Sequence, residues 1–124
     1  MHQGDCAFED EKSRERAFEI EDLKTQLTEW DITFSDLVTA SPGQDRTRKM
    51  CSRIVRFLLG RPELIQHINS KKTLPLSVIE KSLSITPKKL EKHRKYIIAA
   101  LLIYMGDYPY LREYIDISRG QTGD

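Results

Sequence analysis

The chain predicts an all-α fold, a small multi-helix domain that contains a helix-turn-helix. Three observations carry the prediction. Apolar residues recur at three- and four-residue steps in successive segments, turn-forming residues punctuate those segments, and no alternating apolar-polar run between turn signals marks a β-hairpin. No internal repeat of fixed period is present. At 124 residues the chain has the length of one domain with a modest core.

Met1 to Lys12 carries one isolated Phe8 among acids and small residues. That is too little apolar surface to offset the entropy of ordering it, so residues 1–12 are expected to form a disordered leader. The helical domain is expected over 13–117. From Ser13 onward, Ala17, Ile20, Leu23, Leu27 and Trp30 make one apolar stripe on a helix of about four to five turns. The stripe favours docking on the domain over a free linker. Ile32, Phe34, Leu37 and Val38 form a second helical cluster that stops at the breaker Ala40-Ser41-Pro42-Gly43, where Ser41 and Pro42 suit the opening of the next helix.

The third helix runs to Gly60, a suitable C-cap, with Met50, Cys51, Ile54, Val55, Phe57 and Leu58 apolar and Arg46, Arg48, Lys49, Arg53 and Arg56 along another side. Arg61-Pro62 opens a fourth, with Leu64, Ile65 and Ile68 inward, and Asn69 to Lys72 closes it. Residues 75–105 carry the helix-turn-helix. Its second helix has Thr86 to cap the first free amides and Pro87 where no donor is needed, and it continues through Tyr96 to Ile103 as a core-facing rod ended by Gly106. Tyr110, Leu111, Tyr114 and Ile115 fit a last short helix packed on that rod. The polar, glycine-containing segment 118–124 is expected to be a flexible tail.

Charge is uneven. The total is +1, but Met1 to Asp31 holds ten acidic and four basic residues, net −6, and the remainder holds nine acidic and sixteen basic, net +7. A basic body behind an acidic leader keeps nucleic-acid binding open. The longest apolar run, Tyr96 to Met105, is about half of a membrane span, and no secretory signal is visible. Cys6 and Cys51 make neither a disulfide framework nor a zinc site, so a reduced cytoplasm is the expected location and Cys51 a buried structural thiol. His2, His67 and His93 are scattered without ligand spacing, so no metal is expected; His93 suits a half-buried helix position and His67 the surface. No nucleophile elbow and no glycine-rich phosphate loop is present, so neither an enzyme nor a cofactor is expected.

The chemistry-bearing segment is the front of the second helix, where Lys88, Lys89, Lys92, Arg94 and Lys95 are opposed only by Glu91. Such a helix can lay its first two turns in a major groove, where Lys and Arg reach phosphates and guanine edges. The competing interpretation is a solvated helix start in an α-helical hairpin. A helical adaptor that binds only protein, and a homodimeric helix-turn-helix transcription regulator, are the alternatives to promoter binding.

In the order of its residues the chain resembles the C-terminal domain of the I-type (SigI) sigma factors of bacterial RNA polymerase. The segments that carry the resemblance are Glu21-Asp22-Leu23, Ile32 to Val38 with Ser41-Pro42, Leu74-Pro75-Leu76, His93 to Ala99 and, most specifically, Gly106-Asp107-Tyr108-Pro109-Tyr110-Leu111-Arg112-Glu113-Tyr114-Ile115. The helix-turn-helix is also similar to region four of ordinary sigma factors, with Leu76, Ile79, Leu83, Ile85, Thr86 and Leu90 at the structural places. Pro87, Lys88, Glu91 and Lys92 depart from that region's usual base-reading residues, which implies a different promoter preference.

The resemblance implies binding of the minus-35 element of promoter DNA, with core RNA polymerase as a partner. Lys88, Lys89, Glu91, Lys92 and Lys95 are the candidate base or phosphate contacts, and Arg94 a further one if it does not turn toward the core. Glu91 could accept from a cytosine amine or pair with Lys88 or Lys95. It also implies inhibition by a membrane-anchored anti-sigma factor of the RsgI type, whose cytoplasmic N-terminal domain binds the sigma factor. Trp30, Phe34, Tyr104, Tyr108 and Tyr110 are the aromatic candidates for that partner's footprint, although aromatics at helical spacing are more often core.

Overall fold

The structure, a computed structural model, describes the backbone of residues 3–115 and the side chains of residues 11–115. Among them are six helices and one 3-10 turn, with no strand: α1 (Gln3–Thr28), α2 (Phe34–Ala40), α3 (Asp45–Leu59), α4 (Pro62–Lys71), α5 (Leu76–Leu83), α6 (Pro87–Met105) and the turn Leu111–Glu113. The all-α expectation is met. The expected tail, 118–124, lies outside the described residues.

α6 is the axle of the fold. Its residues Leu90, Ile97, Ile98 and Leu101 are fully buried, and α1, α2, α3, α5 and the terminal turn all pack against it. Around it close Leu27 of α1, Ile54, Val55 and Leu58 of α3, Ile68 of α4 and Ile79 of α5. Each is a large apolar side chain withdrawn from water, and burial of one such side chain contributes roughly 1.5–3 kcal/mol before entropy is charged. Cys51 is buried among them, and that burial pushes its thiol up to about 12, as fits a structural thiol rather than a nucleophile.

Local chemistry sets the helix ends. Thr33 and Asp36 form a reciprocal capping box at the start of α2. Pro62 opens α4 and Pro87 opens α6, each in the first turn. Three boundaries differ from expectation. α1 starts at Gln3 in place of the disordered leader; the segment holds no proline, its acids suit a helix N-terminus, and extending an established helix costs far less than nucleating one. Ser41 ends α2 in extended backbone rather than opening α3, which begins at Asp45. The expected last helix is a single 3-10 turn.

α1 docks, as its stripe suggested, through Leu23, Leu27 and Trp30. One member of the stripe is misplaced: Ala17 is exposed, and the buried place nearby belongs to Glu19. That carboxylate accepts from the backbone amides of Tyr110 and Leu111 at 3.0–3.2 Å, holding the amides that open the terminal turn. Glu15 accepts from the Tyr110 hydroxyl at 2.7 Å and Asp22 from the Tyr108 hydroxyl at 2.6 Å. Arg112 closes the other side of the hook, donating to the carbonyls of Ile103, Tyr104 and Gly106 at the end of α6. Gly106 is required in this corner, because a Cβ there would lie 2.5 Å from the Tyr108 ring.

Candidate nucleic-acid interface

The helix-turn-helix is built as its sequence suggested. α5 ends in Ser84, which takes the left-handed conformation (φ 57) and returns its amide to the Glu80 carbonyl. Ile85 then buries in the core, and the Thr86 hydroxyl accepts from the amide of Lys89 at 3.3 Å. Ile79, Ile85 and Leu90 are buried and Leu76 and Leu83 packed against the core, so the inner face of the motif is fixed by apolar packing. Its outer face is thereby defined.

On that outer face the six candidate contact residues divide into two groups. Lys88, Lys89 and Lys92 are exposed and make no ion pair among the described residues. The others are engaged. Glu91 pairs with Arg94 at 3.7 Å rather than with Lys88 or Lys95, and Lys95 reaches Asp36 of α2 at 3.5 Å. Arg94 and Lys95 are each only half exposed.

Lys89 and Lys92 do not stand alone. With Arg46 and Arg53 of α3 they line an open groove of about 510 Å³ whose floor includes Met50 and Ile85. Four cations and no carboxylate line it. Arg53 also donates to the Leu83 carbonyl at 3.4 Å, tying α3 to the last turn of α5, where helix carbonyls lack intrahelical partners. His93 closes the inner end: it is buried, and its Nδ1 lies 3.1 Å from the Ala40 carbonyl. A carbonyl only accepts, so Nδ1 carries the proton in that contact. The helix is thus anchored to α2 just behind its basic turn.

The arrangement is suited to binding a polyanion, with exposed cations on a rigid helix and a second basic wall beside it. The α3 wall was not assigned to the site from sequence. Its arginines were visible as a basic side of a helix, but the pairing of that side with Lys89 and Lys92 is a tertiary contact. Their register with Met50 and Ile54, which sets which arginines flank the core edge, was the available signal.

The aromatic candidates are corrected in part. Trp30 and Tyr108 are core residues, 8 % and 5 % exposed, because Trp30 closes the end of α1 and Tyr108 turns inward to Asp22. Phe34, Tyr104 and Tyr110 are partly exposed. Each is already engaged: Phe34 lies under Lys24, Tyr104 bonds the Ile115 carbonyl and carries Arg112 on its ring, and Tyr110 is held by Glu15. Among the described residues the large apolar side chains left exposed are Phe18, Val38, Val78 and Tyr114. Among the described residues no cluster of three potential metal ligands occurs, and no helix is long and apolar enough to cross a membrane.

No protein-family profile matches the chain. Individual relatives do. It is 47% identical over 108 residues to the RNA polymerase sigma factor SigI7 of Acetivibrio thermocellus, covering 87% of this chain and 46% of that protein. It is 38% identical over 100 residues to SigI of Bacillus anthracis (81% of this chain, 42% of the relative) and 35% identical over 108 residues to SigI of Bacillus subtilis (87% and 42%). The chain therefore spans less than half the length of these relatives. Identity at this level, over most of the chain and in several relatives, means that the chain belongs to the SigI family of RNA polymerase sigma factors and corresponds to their C-terminal region.

Proposed function

We propose that this chain is the promoter-binding domain of a sigma factor, reading the minus-35 element in transcription initiation, with core RNA polymerase as its partner in that act. The observation that carries the proposal is the exposed, unpaired front of α6, with Lys88, Lys89 and Lys92 raised on a helix whose inner face is locked in the core. The role is non-enzymatic. On this reading Lys88 and Lys92 contact base edges or phosphates, Lys89 contacts phosphate, and the Arg94–Glu91 pair holds the helix surface in shape.

Family membership supports a second part of the proposal, inhibition by an RsgI-type anti-sigma domain that covers the basic face and removes the surface that phosphates need. Trp30 and Tyr108, being buried, are left out of its footprint. A titration of the chain against minus-35-region and scrambled duplexes, repeated with the anti-sigma domain, tests both parts. Sequence-dependent binding abolished by the partner is expected. Lys89→Ala should weaken binding and flatten the salt dependence by about one unit, the loss of one phosphate contact. Equal affinity for both duplexes would end the promoter assignment, and an unchanged salt slope would remove Lys89 from the contacts.

A further inference from the structure

The groove beside the recognition helix is a concentration of like charge in a chain that is close to neutral overall. Arg46, Arg53, Lys89 and Lys92 face one open space, and no carboxylate lines it. Several cations elsewhere have a carboxylate partner: Lys49 pairs with Asp45 at 3.6 Å, Lys72 with Glu29 at 3.1 Å and Lys95 with Asp36 at 3.5 Å. Cations gathered without a counter-charge repel one another, and an anion placed among them relieves that repulsion.

We propose that α3 is a second DNA-contacting element, and that a backbone phosphate of the duplex sits in this groove, held by Arg46 and Arg53 on one wall and Lys89 and Lys92 on the other. The inference rests on the promoter-binding proposal and extends it to a helix outside the helix-turn-helix. Three features fit a phosphodiester. Arg53 spends one donor on the Leu83 carbonyl, leaving the rest of its planar fork for a phosphate. Thr86 accepts the Lys89 amide through its oxygen, so its hydroxyl proton is free to donate outward. The floor offered by Met50 and Ile85 is apolar, a surface that suits the sugar edge next to a phosphate. A contact of this kind fixes register on the duplex and carries no base information.

The test uses the whole chain, with a minus-35-region duplex and a scrambled one, titrated between about 50 and 200 mM salt. Arg46→Ala should lower affinity for both duplexes by the same factor, leave their ratio unchanged and flatten the salt slope by about one unit. Arg46→Lys should keep most of the slope. Arg48→Ala is the control, since Arg48 is exposed on the same helix but does not line the groove; its slope should stay near that of the parent. Thermal unfolding of each variant establishes that it is folded.

A parent that prefers the minus-35 duplex, with an Arg46→Ala slope equal to its own, would overturn the α3 contact alone. Equal losses for Arg46→Ala and Arg48→Ala would also overturn it, because the effect would then be diffuse charge rather than the groove. A parent that binds neither duplex would sink this inference together with the promoter assignment.

Discussion

The hook between α1 and the terminal turn and the groove between α3 and α6 are both rich in charge, but their charges have opposite fates. In the hook, Glu15, Glu19 and Asp22 each meet a donor from residues 108–111 at 2.6–3.2 Å. In the groove, four cations share a space lined by no carboxylate. Charge that is satisfied inside the chain holds the fold, and charge left unmatched on a rigid frame is available to a partner. Changes in the hook should therefore move stability, and changes in the groove should move DNA binding.

The largest break in that comparison is expected from Glu19→Ala. Glu19 is 6 % exposed, and its removal strands the two backbone amides that it accepts from, those of Tyr110 and Leu111. Hydrogen bonds to a charged group contribute about 1.5–3 kcal/mol each, and stranding the buried donors adds their desolvation. A loss of about 3 kcal/mol in chemical denaturation is expected, with DNA affinity of the folded fraction unchanged. A comparable loss of DNA affinity in protein that is still folded would show that the hook also shapes the groove.

A smaller effect isolates the Tyr108 hydroxyl. Burial, then its bond to Asp22, raises the phenol above its ordinary value, so the neutral form is favoured in the fold. Stability from such a group is present below the unfolded value of about 10 and is lost as pH rises toward the folded one. Cys51, raised from 9.0 to about 12 by burial, acts with the same sign from pH 9 upward. Tyr108→Phe should cost about 1 kcal/mol at neutral pH and reduce the fall in melting temperature between about pH 9 and 11, and Cys51→Ala should reduce it further. An alkaline fall that both variants leave intact would place its cause in other groups.

What the sequence carried was what is encoded locally. The Thr86-Pro87 start, the apolar register of Ile79, Ile85 and Leu90, and Gly60 after α3 all act within a turn or two of themselves, and all hold in the structure. Glu19 was not legible as a buried residue, because its partners, Tyr110 and Leu111, are 91 and 92 residues away. A signal was present: Glu15, Glu19 and Asp22 follow the same three- and four-residue steps as the apolar stripe. Trp30 and Tyr108 were offered to a partner because an aromatic side chain fits a core and an interface equally well, and only the packing of α1 against α6 decides between them. The groove was half legible, its α6 wall as a basic helix start and its α3 wall as an arginine-rich side, without the tertiary contact that joins them.

The smallest expected effect lies where the two kinds of region meet, at Asp36. Its carboxylate accepts from the Thr33 amide at 3.0 Å as half of the α2 capping box and pairs with Lys95 of α6 at 3.5 Å. The Thr33 backbone bond is the largest influence and, with Lys95, holds the group below its ordinary 3.8 against the opposing effect of burial. A depressed carboxylate contributes above its unfolded value and loses that contribution as pH falls through the folded one, so at neutral pH the pair with Lys95 is fully formed. Asp36→Asn keeps an oxygen for the Thr33 amide and removes the charge. Lys95 is then released beside Lys88 and Lys92, and the face gains one unit of positive charge. Duplex affinity should rise modestly and the salt slope steepen by a fraction of a unit, with the preference for the minus-35 sequence unchanged, because an added phosphate contact reads no base. If Asp36→Asn leaves affinity and slope where they were, Lys95 belongs with the hook's matched charges, as a strut between α2 and α6, and the DNA face ends at Lys92.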